Sequence, residues 1–398
     1  MQQLFSYFLQ QLKYIRFDFV RYLYDEIRWN NRLIAITGAR GTGKTTLLLQ
    51  YIKQNYNPSS GEVLYASLDN FWFAAHTLTE LADDFVQNGG KALFLDEVHK
   101  YAGWSVEIKN IYDSYPELKI VFTGSSLLEI RRGEADLSRR AVVYHLAGLS
   151  FREFLDYEYG VKTEAVSIAD LPERQSDIVS EVSAGVKPLV AFKKYLRCGY
   201  FPYYKEDEEL YGQRVLATLD TVIESDLPAV EKIDYYSVVK MKKLFMVMSG
   251  LVPFTPNITQ LSRDISVTRV SLLNYLYYLD KAQAIMLVDK EALGMKQMTK
   301  PEKVYLGNPN YAYALSGEKA DSGSVRETFF MNQVRVRNRV VFAGDTDFKV
   351  NDEFYFEVGG KNKTPKQIQG LERAYLAVDD LEEGWGKRIP LWMFGLLY

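Results

Sequence analysis

Only one cysteine, Cys198, stands among 398 residues. The chain therefore forms no internal disulfide and fits a reducing compartment. Excess charge is also missing: 48 lysines and arginines against 51 aspartates and glutamates leave a formal −3. That balance argues against a surface that wraps nucleic acid along its whole length, although it allows a local basic patch. No apolar stretch approaches the ~20 residues of a membrane span. The run Leu4-Phe-Ser-Tyr-Phe-Leu9 is short for a signal core, and Lys13 and Arg16 follow closely. No membrane association is expected, and the cytoplasm is the expected location. Internal repeats and low-complexity tracts are missing too. At 47% apolar and 25% charged residues the composition is that of a globular protein. Its length suits two or three domains, each with its own core.

Against these absences one motif stands out. Gly38 to Thr45 read Gly-Ala-Arg-Gly-Thr-Gly-Lys-Thr, the pattern G-x-x-x-x-G-K-[ST]. The apolar run Leu33–Thr37 comes before it and the helix-forming run Thr46–Ile52 after it, the strand–loop–helix setting the motif requires. Glycines at 38, 41 and 43 let backbone N–H groups converge on phosphate oxygens, and the following helix dipole reinforces the hold. Gly38, Ala39, Arg40, Gly41, Thr42, Gly43, Lys44, Thr45 and Thr46 are the expected phosphate-binding set. Lys44 is expected to reach the β and γ phosphates, and the Thr45 hydroxyl to ligate Mg²⁺. ATP and Mg²⁺ are the expected ligands. The guanine-reading Asn-Lys-x-Asp motif is missing, an absence that favours ATP but does not strictly exclude GTP.

The segment Ala92-Leu-Phe-Leu-Asp-Glu97 is an apolar strand that ends in two acids. Such a strand buries itself and delivers carboxylates at its carboxyl end, where ligands bind in open α/β sheets. Asp96 is expected to hold Mg²⁺ and Glu97 to orient the attacking water. The strand Lys119–Thr123 leads to Gly124-Ser125-Ser126. Ser125 reads either as a γ-phosphate sensor or as a helix cap. Arg131, Arg132, Arg139 and Arg140 form a cluster in which each is a candidate arginine finger or a solvated surface residue. His99 reads equally as a coupling residue and as a hydrogen-bonded helix-start residue.

The chain beyond these motifs divides by pattern. The first 30 residues read as helical. β-like runs at Leu33–Thr37, Glu62–Leu68, Ala92–Asp96, Lys119–Thr123 and Ala141–Leu146 then alternate with helices, which predicts a parallel sheet in an α/β domain over 1–150. Ser150 with Glu153 forms a capping box that opens a helical region over 151–235. Helices at Val238–Ser249, Ile258–Asp264 and Val267–Leu279, with strands near Ala284–Asp289 and Val304–Leu306, predict a winged helix over 236–310. Residues 311–398 return to α/β: a helix from Val325, then strands at Val340–Ala343, Thr346–Val350, Phe354–Val358, Ala374–Val378 and Leu391–Phe394.

The motifs Gly38–Thr45, Leu95-Asp-Glu-Val-His-Lys100 with Trp104, Thr123-Gly-Ser-Ser126, Leu149-Ser-Phe-Arg-Glu-Phe154 and Gly199-Tyr-Phe-Pro202 resemble those of a prokaryotic family of AAA-type P-loop ATPases. In that family the ATPase module is joined to a C-terminal domain of unknown function related to PD-(D/E)XK nucleases. The resemblance implies a P-loop NTPase domain followed by a restriction-endonuclease-like domain. Family members often carry Leu-x-Gly-Arg before the strand leading to the Ser-Phe motif. Here Leu137-Ser-Arg-Arg140 keeps the arginine at 140 and replaces the glycine with Arg139, so Arg140 is the first choice for the finger.

In the winged-helix region Thr268, Arg269, Ser271 and Asn274 are candidate groove readers. Basic residues are sparse there, and a protein-contact role is the alternative. In the C-terminal region Glu327, Asp347 and Glu357 form a candidate second metal site. The lysine expected two positions after Glu357 is missing, with Lys361 and Gln367 as substitutes. A fold kept for binding or assembly is the other reading. The expected function is ATP hydrolysis with Lys44, Glu97, Ser125 and Arg140 as the catalytic set, driving a switch or motor on DNA or a protein partner. The alternatives are an ATP-gated metal-dependent nuclease and a nucleotide-binding scaffold with negligible turnover. A finger acting in trans would imply a homo-oligomer; a monomeric switch fits as well.

Overall fold

The computed structural model describes residues 1–126, 137, 139–231, 233–251, 253–289 and 300–398. Arg131 and Arg132 lie outside them. The chain packs as two units: Met1–Ala147 with Glu224–Ile233, and Gly148–Ile223 with Asp234–Tyr398. The sequence pattern changes at 150, 235 and 310. The packing gathers most of the residues beyond 147 into one unit and returns a short later stretch to the first.

The first unit begins with α1 (Gln2–Lys13), whose Leu4, Phe8 and Leu12 recur at helical spacing and are buried. After α2 (Leu23–Glu26) come β1 (Leu33–Gly38), β2 (Val63–Ser67), β3 (Ala92–Asp96), β4 (Lys119–Ser125) and β5 (Val142–His145). They form a parallel sheet in the order β2-β3-β4-β1-β5. The strands β1, β2 and β3 are buried throughout, as continuous apolar runs must be when helices cover both faces. The crossover helices are α3 (Lys44–Asn55), α4 (Leu78–Gln87) and α5 (Trp104–Ser114). The short α10 (Leu227–Val230) joins this unit from later in the chain. The order places β4 between β1 and β3, with Gly38 opposite Ser125 and Leu95 opposite Phe122. The residues that close β1, β3 and β4 therefore share one edge of the sheet, the ligand-binding edge of open α/β folds.

The second unit opens with α6 (Phe151–Tyr159). The expected capping box forms, Ser150 accepting from the Glu153 amide and Glu153 from the Ser150 amide. The helices α7 (Gln175–Ser183), α8 (Pro188–Cys198) and α9 (Tyr211–Thr221) follow. The elements expected between 238 and 306 are α11 (Tyr235–Ser249), α12 (Ile258–Asp264), α13 (Arg269–Lys281) and an antiparallel hairpin of β6 (Ile285–Val288) and β7 (Lys303–Leu306). After α14 (Pro309–Ser316) and α15 (Ser322–Val334) come β8 (Val340–Val341), β9 (Phe348–Val350), β10 (Phe354–Gly359), β11 (Ala374–Val378) and β12 (Arg388–Pro390), a mixed sheet in the order β12-β11-β10-β9-β8. One expectation is corrected here. Leu391–Leu396 is a 3-10 helix, and the last strand is Arg388–Pro390. All six residues of that helix are buried, and an apolar run buried on every side carries no period that separates strand from helix.

Burial raises the phenol pKa of Tyr65, Tyr204, Tyr211, Tyr305 and Tyr311 above the ordinary 10.0. Above pH 10 the unfolded chain releases these protons and the native chain keeps them, so stability falls as pH rises past that point, by about 1.4 kcal/mol per pH unit for each such tyrosine. A phenolate absorbance titration is expected to show a class of tyrosines that ionises only together with loss of the far-UV circular dichroism. Ionisation of every tyrosine ahead of unfolding would contradict this.

Candidate functional site

At the carboxyl end of β1 the chain turns through Gly41 and Gly43, at φ 84° and 93°, and enters α3 at Lys44. Gly43 is the N-cap and offers no side-chain acceptor, so none competes with a phosphate for the first-turn amides and the positive end of the helix. A Cβ on Gly38 would lie 2.4 Å from the Leu146 carbonyl oxygen. The close passage of these two backbones therefore requires glycine. Arg21, only 4% exposed, fastens the loop by donating to the Thr42 carbonyl and, at 2.8 Å, to that of Ala147.

Lys44 is buried and donates to the carbonyls of Gly38 at 3.0 Å and Ala39 at 2.9 Å. Burial lowers its pKa, and the charges of Glu97, Asp96 and Asp226 oppose that shift. At the second residue of the helix, Thr45 Oγ1 donates to Asp96 Oδ2 at 2.6 Å. The Tyr65 hydroxyl donates to the same oxygen at 2.8 Å, and the Thr123 hydroxyl donates to Asp96 Oδ1. A hydroxyl and a carboxylate side by side are hard oxygen donors of the kind Mg²⁺ takes. The donor set fits that ion.

Glu97 follows at φ 53° and ψ 40°, a left-handed conformation that costs a non-glycine residue about 1–3 kcal/mol and persists only where the surroundings impose it. Its amide donates to Thr123 Oγ1 at 3.2 Å. Thr123 on β4 therefore bridges Asp96 and Glu97. His99 is buried; the Ser125 amide donates to its Nδ1 at 3.4 Å, and its Nε2 lies 3.5 Å from Glu97 Oε2 and 3.7 Å from Asp226 Oδ1. Asp226, with a side chain 1% exposed, also pairs with Lys100 and, at 3.4 Å from both carboxylate oxygens, with Arg40. Burial would raise the Asp226 pKa, but His99 and Lys100 outweigh it and hold the carboxyl well below the usual range.

Of the residues singled out from sequence, Lys44, Thr45, Asp96, Glu97 and Ser125 meet at this edge. Thr42 is buried in the loop, with its hydroxyl on the Ala39 carbonyl at 2.9 Å, whereas Thr46 is exposed. Arg140 forms a two-point ion pair with Asp113 on α5, each contact 3.0 Å. Four residues escaped the sequence reading. Thr123 stands in the Thr-Gly-Ser-Ser motif, in which Ser125 is the residue that reads as a sensor. Arg21, Tyr65 and Asp226 belong to no local pattern. The Ser150–Phe154 motif builds the second unit's core: Phe151 is fully buried, and its ring packs 5.4 Å from Phe192 and 6.2 Å from Trp392.

A second cluster lies in that unit. Lys303 on β7 stands 3.4 Å from Glu327 Oε2 and 3.3 Å from Asp347 Oδ1, and the Tyr305 hydroxyl donates to Glu327 at 3.1 Å. The Asp347 amide donates to Glu357 at 3.1 Å. Burial, and then the Asp347 charge, raises the Glu327 pKa; burial also raises that of Glu357, against Lys363. The lysine on Glu357 is Lys363, at 2.5 Å, and not the expected Lys361. Gln367 is exposed. Among the described residues no three His, Cys, Asp or Glu side chains are arranged to hold a metal ion. No helix among them is long and apolar enough to cross a membrane.

Residues 30–155 match a family described as an AAA domain. An uncharacterized protein of Methanocaldococcus jannaschii is 27% identical over 315 residues, which cover 75% of this chain and 66% of that protein. The chain thus spans just under two thirds of that relative's length. Among solved structures, AMPPCP-bound DnaA from Aquifex aeolicus is 15% identical, covers 65% of this chain and 84% of its own, and has a TM-score of 0.24. The Hsp104–ADP complex of S. cerevisiae is 13% identical, covers 80% and 44%, and has a TM-score of 0.31. Such low scores carry no argument about function. The first unit, with its five parallel strands and phosphate loop, is of the P-loop nucleotide-binding type and similar to AAA domains.

Proposed function

We propose that this chain is a Mg²⁺-dependent ATPase that uses hydrolysis to drive a conformational switch or motor. The observation that carries the reading is the meeting of Thr45 and Asp96, 2.6 Å apart, beside buried Lys44 and Glu97 at the carboxyl edge of the sheet. Thr45 and Asp96 would hold Mg²⁺, which when bound would supply positive charge beside the phosphates. Lys44 exchanges its two backbone carbonyls for phosphate oxygens, and the loop amides bind the same oxygens. Glu97 aims a water at the terminal phosphorus and accepts its proton. Thr123 keeps Asp96 and Glu97 in mutual register, and Ser125 holds His99 beside them. Arg140, once released from Asp113, is the finger candidate, and a finger reaching a neighbouring copy would imply a homo-oligomer.

The test is ATP hydrolysis with and without DNA, in the native protein and in Lys44→Ala. Loss of the lysine is expected to reduce turnover at least about a hundredfold, because the phosphates lose their one buried ammonium partner. Hydrolysis that rises with DNA supports a motor on DNA reached through α11–α13 and the β6–β7 hairpin, read as a winged helix. At the start of α13 the Ser271 amide donates to Thr268 Oγ1 at 3.1 Å as an N-cap and the two hydroxyls bond at 2.9 Å, which leaves exposed Arg269 and half-buried Asn274 as the groove readers. Hydrolysis indifferent to DNA favours a protein partner. Hydrolysis unchanged in Lys44→Ala would remove the proposal.

The second reading is a nuclease built on Glu327, Asp347 and Glu357, which stand near one another but form no metal-holding group among the described residues. Lys303 and Lys363 occupy the cation positions among those carboxylates, which favours a structural role instead. Incubation with Mg²⁺ and plasmid or branched DNA decides: cleavage that disappears in Asp347→Asn establishes the nuclease, and intact DNA excludes it.

A further inference from the structure

The charges around the phosphate loop balance in a way no motif announces. Arg40 is the third residue of the loop and Lys100 lies three residues beyond Glu97, so both cations belong to the nucleotide edge. Both are held by Asp226, whose carboxylate is almost wholly removed from solvent. The Asp226 charge also acts on Lys44, the lysine expected to meet the phosphates. His99, beside Glu97, points Nε2 at the same carboxylate, and that nitrogen has no hydrogen-bond partner among the described residues. Three carboxylates, Asp96, Glu97 and Asp226, thus face three cations, Lys44, Arg40 and Lys100.

A γ-phosphate arriving here needs cations, and Arg40 and Lys100 are the ones already taken. Two anions sharing such partners in a partly desolvated site repel strongly, and one must yield. A diphosphate ends one phosphoryl group short and leaves the contest unopened. The backbone before Asp226 is suited to yielding. Val222–Asp226 is a π-helical turn, a rare arrangement found mostly at functional sites. The stretch Glu224–Ile233 packs with the first unit, while its chain neighbours Ile223 and Asp234 belong to the second.

Building on the nucleotide-site reading above, we propose that Asp226 is the residue by which the site tells a nucleoside triphosphate from a diphosphate. It occupies Arg40 and Lys100 until a γ-phosphate takes them, and its displacement loosens the stretch Glu224–Ile233. The consequence of hydrolysis is the reverse: phosphate leaves, the two cations return to Asp226, and the stretch docks again.

Equilibrium binding of ADP and of a non-hydrolysable ATP analogue, both with Mg²⁺, to native protein, Asp226→Asn and Asp226→Glu tests this. Asp226→Asn removes the competing charge at constant shape. It is expected to tighten the analogue about tenfold and to leave ADP within about twofold. Asp226→Glu, which keeps the charge, is expected to retain the native ratio. An equal change for both nucleotides, or weaker binding of the analogue, overturns the role of Asp226. Native protein that binds neither nucleotide removes the nucleotide reading, and this inference falls with it. A second measurement needs no variant: hydrogen exchange in residues 224–231 of native protein is expected to be faster with the analogue than with ADP. Equal protection with both overturns the proposal even if Asp226→Asn fails to fold.

Discussion

Glu97→Gln is expected to lower ATP turnover by about two to four orders of magnitude, the span general-base catalysis usually supplies, while nucleotide binding survives. The substitution keeps the volume and the left-handed backbone of residue 97 but removes the oxygen that accepts a proton. Asp96 keeps its three donors, Thr45, Tyr65 and Thr123, so the residues proposed to hold Mg²⁺ are untouched. The Glu97 amide still donates to Thr123. Binding and chemistry therefore separate, and the variant should accumulate in the ATP-bound form. Single-turnover phosphate release alongside equilibrium nucleotide binding measures both. Unchanged release would take the catalytic role from Glu97, whereas native protein that binds nucleotide and releases no phosphate would point to a scaffold.

Lys303→Met carries the largest expected effect on stability. The ammonium lies between Glu327 and Asp347, whose side chains are 19% and 16% exposed. Its loss leaves two carboxylates facing each other. Breaking a fully buried pair costs about 3–5 kcal/mol; with this much exposure about 2–3 kcal/mol is expected at neutral pH. The sign of the pH dependence follows from Glu327, whose folded pKa is raised by burial and then by Asp347, with Lys303 opposing. A raised carboxyl pKa contributes stability below the ordinary value of 4.5 and loses it as pH climbs through the folded value. Without Lys303 the folded value climbs further, so the deficit should be small near pH 5 and full above neutrality. Urea melts at the two pH values measure it, and a deficit indifferent to pH would mean that Lys303 does not pair with these acids.

The phosphate loop and the Asp96–Glu97 pair were legible because each is local. A strand, a turn and a helix start in sequence bring their own residues to the sheet edge, and the two acids ride on the end of a single strand. Arg21, Tyr65 and Asp226 reach the same edge from other elements, and only the packed fold makes them neighbours. The lysine beside Glu357 shows the same limit over a few residues. A bond from the Lys363 amide to the Gly360 carbonyl, at 2.9 Å, closes a turn that brings residue 363 back towards the acid, and counting along an extended chain points to Lys361 instead. At Leu391 the pattern itself was silent, since a run buried on every side has no exposed face to set a period.

The interrupted path of the first unit also governs how the protein is made. Its sheet is complete in sequence at His145, yet the residue that neutralises Arg40 and Lys100 is Asp226. Asp226 lies 79 residues beyond Ala147, where the first unit's opening stretch ends, roughly 4–16 s of synthesis at 5–20 residues per second. During that interval the nascent sheet carries two cations beside the phosphate loop with no aspartate to hold them, and a cellular polyphosphate or nucleotide is the natural counter-anion. A gene fragment ending near residue 150 would freeze the protein in that half-made state.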